Sequence, residues 1–199
     1  MIILNPRFWA SATLVGLALA AMGVGLARAL LPAPLAYYHT PYMSLVIPKG
    51  WLCGLDGTEF VCQAEIPTEE GPERDLARSA IIVLAAKETG PMDSLAQYRA
   101  HLRTPREYND RDSSEALSVV EGVSDREIGG RLWVIGSQFA SEIPNFRTHY
   151  YATVADEIAV LVTFSVHEDY VAAFLDDVED IVENLSLHKP AGGSFGARR

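Results

Sequence analysis

Residues 147–166 read RTHYYATVADEIAVLVTFSV. Two runs rich in β-branched and aromatic side chains, Arg147–Ala155 and Ile158–Val166, flank Asp156-Glu157. That is the pattern of two strands joined by a two-residue turn. Pairing outward from the turn sets Thr153 against Val160, Tyr151 against Val162 and His149 against Phe164 on one face. The other face pairs Ala152 with Leu161 and Tyr150 with Thr163. Neither face is plainly polar, so both sides of this hairpin are expected to be covered. The next segment, Glu168–Leu185, supplies one cover. Its Val171, Phe174, Leu175, Val178, Ile181, Val182 and Leu185 recur at the three- and four-residue intervals of an amphipathic helix.

Working back from that hairpin, Leu117–Ile128 and Arg131–Ser141 flank Gly129-Gly130, a second strong turn signal. Residues 104–115 read as a polar loop. Before them, Pro91-Met92-Asp93 opens a helix with Asp93 or Ser94 as its N-cap. Leu95, Tyr98 and Leu102 line one face of it, and His101 and Arg103 sit near its C-terminus, where positive charge is favoured. Ala80–Ala86, AIIVLAA, reads as a buried strand, residues 66–77 as a charged loop, and Tyr42–Ile47 as a strand closed by Pro48-Lys49-Gly50. The fold class expected is α+β: one antiparallel-sheet domain over residues 41–187 with helices packed on the sheet. A spacer over 30–40 precedes it, and a tail over 188–199 follows.

The segment from Trp51 to Cys62 carries both cysteines. A hairpin turn at Gly57-Thr58, with Gly first as a type II′ turn wants, pairs Asp56 with Glu59, Leu55 with Phe60, Gly54 with Val61 and then Cys53 with Cys62. The cysteines then occupy a non-hydrogen-bonded pair, where side chains lie closer, which predicts a cross-strand disulfide. A turn centred on Asp56-Gly57 would set Cys53 opposite Phe60 and break the match. The spacing lacks the C-x-x-C form of a redox pair, and no second ligand pair supports zinc.

A disulfide implies export, and the first residues supply a route. From Phe8 to Ala27 the chain reads FWASATLVGLALAAMGVGLA, without a charge, and at 1.5 Å per residue it is about 30 Å long as a helix, the thickness of a bilayer core. Arg7 precedes it, and after Arg28 the next basic residue is Lys49, a distribution that favours a cytoplasmic N-terminus. Two readings stay open for residues 1–29. One is a retained signal anchor in the cell inner membrane, single-pass, with the C-terminal domain outside the cytoplasm. The other is a signal peptide cleaved near Ala29, after the A-x-A of Ala27-Arg28-Ala29, which leaves a secreted or periplasmic domain.

The chain is 49% hydrophobic and 21% charged, which excludes a disordered or collagenous polypeptide. Its net charge is −10, and residues 1–30 hold Arg7 and Arg28 with no acid, so the acidity belongs to the exported part. Such a surface offers no footprint for a phosphate backbone, and nucleic acid is not expected as a partner. The acids concentrate on the last helix, where Glu168, Asp169, Asp176, Asp177, Glu179, Asp180 and Glu183 follow one another with no Lys or Arg between them. Ordinary solvated faces mix signs and gain i,i+4 pairs. This face is therefore either a strongly solvating surface or a docking face for a basic partner, with Asp176, Asp177, Glu179, Asp180 and Glu183 as candidate contacts.

Signals for chemistry are sparse. Asp110, Asp112, Ser114 and Glu121 stand at positions 1, 3, 5 and 12 of an EF-hand-like loop, but position 6 is Glu115 where the turn needs Gly, and LSVVEGV reads as strand. A solvated acidic loop is the better account. The histidines at 39, 101, 149, 167 and 188 show no metal-ligand spacing, although His149 and His167 fall near the same end of the last hairpin. There is no G-x-S-x-G elbow, phosphate loop or dinucleotide fingerprint. Ser141-Glu142-Ile143-Pro144-Asn145-Phe146 is an unusual connection between strands, and Asn184-Leu185-Ser186 fits a glycosylation acceptor.

The order of elements resembles the fold shared by the photosystem II extrinsic protein PsbP, the Ran-binding Mog protein and bacterial DcrB-like envelope proteins. The residues that carry the resemblance are Ile47-Pro48-Lys49-Gly50-Trp51, Ser94-Leu95 with Tyr98, and Gly130 with Trp133. On the final helix they are Tyr170, Phe174, Ile181 and Leu185-Ser186-Leu187. It spans about residues 42–187. The resemblance implies a protein that binds other proteins or assists assembly, and it assigns no functional residue. The expectation is a non-enzymatic, membrane-anchored accessory module of the cell envelope, without cofactor, that displays an acidic domain to a protein partner. A small-ligand or calcium-binding sensor, and a hydrolase with a scattered site, are the alternatives.

Overall fold

A computed structural model describes residues 37–66, 78–110 and 113–189. The anchor or leader at 8–29, Asp112, most of the charged loop at 66–77 and the tail from 190 onward lie outside the described residues. Among the described residues no helix is long and apolar enough to cross a membrane.

The strands are β1 (Tyr37–His39), β2 (Met43–Val46), β3 (Leu52–Asp56), β4 (Glu59–Glu65), β5 (Ser79–Glu88), β6 (Glu107–Asp110), β7 (Ser113–Leu117), β8 (Val119–Ile128), β9 (Arg131–Phe139), β10 (Phe146–Ala155), β11 (Ile158–His167) and β12 (Ser186–Leu187). Among the described residues the α-helices are α1 (Leu95–Leu102) and α2 (Val171–Asn184). Seven strands form one antiparallel sheet, β3-β4-β5-β11-β10-β9-β8, beside a three-stranded sheet β1-β2-β12 and a ribbon β6-β7.

The β10–β11 register is the one read from the sequence: Thr153 faces Val160, Tyr151 faces Val162 and His149 faces Phe164. Asp156 and Glu157 both take left-handed backbone, φ 52° and 63°, as a type I′ turn requires. Both sheet faces are covered, which explains the absence of a polar side. On one face Trp133, Tyr151, Val160, Val162 and Phe164 pack with Phe60, Ile82 and Leu84 under Phe174, Val178, Ile181, Val182 and Leu185 of the α2 segment. Each such side chain contributes about 1.5–3 kcal/mol on leaving water. On the other face Leu102 of α1 packs with Val134 and Tyr150. Gly136 of β9 makes that approach feasible, because a Cβ there would lie 3.1 Å from the Leu102 Cβ.

Three local readings differ. The stretch read as a polar loop at 104–115 contains the β6–β7 ribbon, whose polar residues lack the apolar alternation that marks a half-buried strand. The last helix begins at Val171, behind a short 3-10 turn at Glu168–Tyr170. β1 lies within the residues read as spacer, and both β1 and β12 are too short to show periodicity.

Candidate functional site

The two cysteines are joined. Gly57-Thr58 is the turn, Leu55 faces Phe60, Cys53 faces Cys62, and a disulfide links Cys53 to Cys62 across β3 and β4. The tip of this hairpin forms one border of a cleft of about 830 Å³.

A second border is the β1–β2 connection, Tyr38–Met43. Thr40 fixes its shape: the Met43 and Tyr42 N–H groups donate to Thr40 Oγ1 at 2.9 and 3.2 Å, and the Thr40 N–H donates to the Met43 carbonyl at 2.7 Å. Tyr38 stacks on Phe60 at 3.4 Å between centroids, and burial pushes its phenol up. Between these borders Ala85, Ala86, Ala159 and Leu161 give an aliphatic lining from β5 and β11.

Besides Glu59 and Thr58 on the hairpin tip and His39 and Thr40 on the β1–β2 connection, the polar part of the cleft is Lys87, Asp93 and Tyr98. Ser94, not Asp93, is the N-cap of α1, accepting from the Gln97 N–H. That leaves the Asp93 carboxylate to accept from the Gly90 N–H at 2.8 Å and the Tyr98 hydroxyl at 2.8 Å, with Lys87 Nζ at 3.0 Å. The Gly90 N–H, with Lys87 and Tyr98 behind it, holds the Asp93 carboxyl below the usual carboxylate range against the opposing effect of burial. Burial first, and then the Asp93 carboxylate, push the Tyr98 phenol up. These groups satisfy one another and hold the start of α1 against the end of β5. Tyr38 and Tyr42 stand close together in the sequence, but neither their spacing nor periodicity marks a cleft there.

The structure divides the acidic residues of α2. Trp51 Nε1–H donates to Asp177 Oδ2 at 2.8 Å, and Arg126 of β8 donates to Glu179 Oε1 at 2.6 Å. Asp177 and Glu179 therefore bind their own chain. Asp176, Asp180 and Glu183 are exposed on the outer side of the helix.

A third cluster lies on β8, β9 and β10. Glu121 takes a two-pronged ion pair from Arg147, 2.8 Å at the closest, and a 2.6 Å hydrogen bond from the Ser137 hydroxyl. Burial alone would raise the Glu121 carboxyl, but the Arg147 and Ser137 hydrogen bonds outweigh it and hold it below its ordinary value. Burial, then the Arg147 charge, lowers the His149 imidazole. His149 stacks on Phe164, whereas His167 lies edge-on to Phe146 and accepts from the Asp169 N–H. His167 pairs with Phe146, three residues from His149, so the two imidazoles point to opposite sheet faces and are not brought together.

Among the described residues no group of three or more His, Cys, Asp or Glu could hold a metal ion. The 141–146 connection is buried at Ser141 and Phe146 and exposed at Glu142, Pro144 and Asn145: the Tyr150 hydroxyl lies 2.9 Å from both Ser141 Oγ and Glu142 Oε1, and Arg106 pairs with Glu142 above the Tyr150 ring. Burial pushes the Tyr150 phenol up to about 12.

A disulfide-pinned antiparallel sheet, covered by a helix on each face and open at one end to an apolar cleft, is the class of protein that this chain represents. No family model and no curated protein matches the sequence. Among solved structures, a Bacteroides thetaiotaomicron protein is similar with a TM-score of 0.53 and 15% identity, over 80% of this chain and 51% of that one. This chain thus spans about half the length of that neighbour. Cyanobacterial PsbP from Synechocystis is similar with a TM-score of 0.46 and 8% identity, over 76% of this chain and 91% of that one. The Ran-binding protein Mog1p of Saccharomyces cerevisiae is similar with a TM-score of 0.45 and 11% identity, over 74% and 90%. At these identities the likeness is one of fold alone.

Proposed function

We propose that this chain is a non-enzymatic accessory module of the cell envelope, held at the membrane through residues 8–29 or released by cleavage near Ala29. Its α+β domain, displayed beyond the membrane, binds an apolar segment of a protein partner in the cleft bordered by Tyr38, Tyr42 and Leu55. The observation that carries this reading is the cleft itself. It measures about 830 Å³, its lining is mostly aliphatic and aromatic, and of its charged side chains Lys87 and Asp93 pair with each other while Glu59 stands on the hairpin border. Such a surface favours apolar binding over proton transfer, because the Asp93 carboxylate and the Tyr98 hydroxyl are committed to each other. Asp176, Asp180 and Glu183 give a basic partner a second, electrostatic contact that speeds association more than it deepens affinity.

The test is site-directed photocrosslinking in native membranes, with benzoylphenylalanine in place of Tyr42 and, as the control, in place of the exposed Met92, which does not line the cleft. A reproducible protein adduct from position 42 and not from 92 supports the reading; identical patterns refute it. Alkaline extraction followed by intact mass reports whether residues 1–29 are retained. The cleft also has the size of a small-ligand site. That second reading expects a small apolar compound to raise the melting temperature without any protein adduct.

A further inference from the structure

We propose that residues 190–199, PAGGSFGARR, occupy the cleft of the same chain and compete with its partner. The proposal deepens the reading of that cleft as a binding seat, and rests on it. Three observations converge.

The first is where the described chain stops. β12 pairs with β2, and the next residue, His188, donates its N–H to the Tyr42 carbonyl at 3.0 Å. Its Nε2 lies 2.6 Å from the Thr40 carbonyl, and its ring stacks on His39 at 4.5 Å. Lys189 pairs with Glu157, beside the start of β11. His39, Thr40, Tyr42 and, on β11, Ala159 all line the cleft. The chain is thus delivered to the cleft's rim, held by four contacts, at the point where residue 190 begins.

The second observation is apolar complementarity. Phe195 is the single aromatic side chain in the segment, surrounded by Gly, Ala and Ser. It lies six residues beyond Lys189, a reach of about 20 Å at about 3.3–3.6 Å per residue. Small neighbours let one ring enter a cleft lined by Tyr38, Tyr42, Leu55 and Leu161 without a bulky flank colliding at its mouth.

The third is charge. Asp56 and Glu59 stand directly opposite one another on the tip of the β3–β4 hairpin, and Glu59 lines the cleft. Like charges paired across strands destabilise a hairpin, and neither acid has an ion-pair partner among the described residues. Arg198 and Arg199 follow Phe195 by three and four residues, a spacing that brings a guanidinium to this acidic pair once the ring is seated. Arginine suits the role because its fork can serve two carboxylates.

An occupant tethered by so few residues acts at a millimolar effective concentration, so even weak docking holds an external ligand off. The cleft would then open to a partner that outcompetes the segment or draws its arginines away.

The experiment places benzoylphenylalanine at position 195 of the full chain in native membranes, with the products separated by size and mapped by mass spectrometry. The expected product is an adduct at the mass of one chain, joined to peptides containing 38–43, 55–59 or 159–161. Replacing both arginines by glutamate is expected to lower its yield about tenfold, and Arg198→Lys with Arg199→Lys to restore most of it. Removing 190–199 is expected to raise the partner adduct formed from position 42 about tenfold, the ratio of a millimolar effective concentration to a tail affinity ten times tighter. Adducts of position 195 with lipid, with another protein, with residues 30–36 or with a second copy, or the absence of any adduct, overturn the proposal. If position 42 still captures a partner in that case, the binding module stands and only its occupancy by residues 190–199 falls.

Discussion

Replacing Gly129 or Gly130 by alanine separates backbone strain from a tertiary contact, because the two glycines share a turn and differ in what surrounds them. Both sit in left-handed backbone, with φ of +57° and +73°. An alanine in that region costs about 1–2 kcal/mol at either position. Reduced freedom of the unfolded chain opposes this by about 0.4–1 kcal/mol, equally for both. At Gly130 a Cβ meets nothing within 4 Å. At Gly129 it would lie 2.5 Å from the Glu183 carbonyl oxygen, a backbone atom in the last turn of α2 that cannot rotate away. Either the β8–β9 turn or the end of α2 must move, and forcing such a shift costs about 1–3 kcal/mol more. The movement also strains the hydrogen bond from Arg131 to the Leu185 carbonyl. At about 2–4 °C per kcal/mol for a chain of this size, Gly130→Ala should lower the melting temperature by about 3 °C and Gly129→Ala by about 10 °C. Circular dichroism melts, with urea titrations followed by tryptophan fluorescence, measure both. Equal losses would refute the docking of α2 on this turn.

Reduction of Cys53–Cys62, whose sequence separation is 9, should cost about 2–3 kcal/mol in the chain-entropy account, read as a lower urea midpoint with dithiothreitol; an unchanged midpoint would contradict a stabilising bridge. The folded Asp93 carboxyl lies below its unfolded value, so its contribution is present above about pH 4 and is lost as pH falls through the folded value. Urea midpoints of wild type and Asp93→Asn between pH 2 and pH 6 should therefore converge toward the acid end. His149 is also lowered, so the unfolded state binds a proton first as pH falls below about 6.5. Wild type should then lose stability as pH falls below about 6.5, with a shallower slope in His149→Gln. Arg126→Ala should cost no more than about 1 kcal/mol in the same urea titration, because its pair with Glu179 is nearly half exposed at both ends.

The hairpins were legible in the sequence because each carries its own register. Asp156-Glu157, Gly129-Gly130 and Gly57-Thr58 fix their turns, and counting outward reproduces every cross-strand pair observed for β10–β11 and for the disulfide hairpin. The same counting gave two apolar faces, and hence two covers. What escaped was whatever depends on elements meeting from a distance. Tyr38, Leu55, Ala85, Tyr98 and Leu161 come from five separate segments, and nothing in any one of them announces a cleft. β1 and β12 join one sheet through β2 between them, and neither is long enough to register as a strand alone.

The acids of α2 show the same limit and also how structure sharpens a charge argument. Along the helix, the acids form one uncompensated series, because the helix supplies no cation at i±4. In the fold, compensation arrives from 126 residues away for Asp177, through Trp51, and from 53 residues away for Glu179, through Arg126. Both bonds lie on the flanks of the helix and help seat it on the sheet. Asp176, Asp180 and Glu183 point outward without such bonds among the described residues, and α2 supplies no cation beside them. Mutual repulsion among those three opposes folding weakly in isolation and is relieved by any cation brought near. Neutralising Asp176, Asp180 and Glu183 together should therefore leave the melting temperature unchanged or slightly raised while slowing capture of a basic partner. Neutralising Asp177 and Glu179 should lower it. A docking face made of the whole series predicts the same outcome for both sets, so the two triple-and-double variants, compared by melting temperature and by the salt dependence of photocrosslinking from position 42, decide between a surface that serves a partner and one that serves the fold.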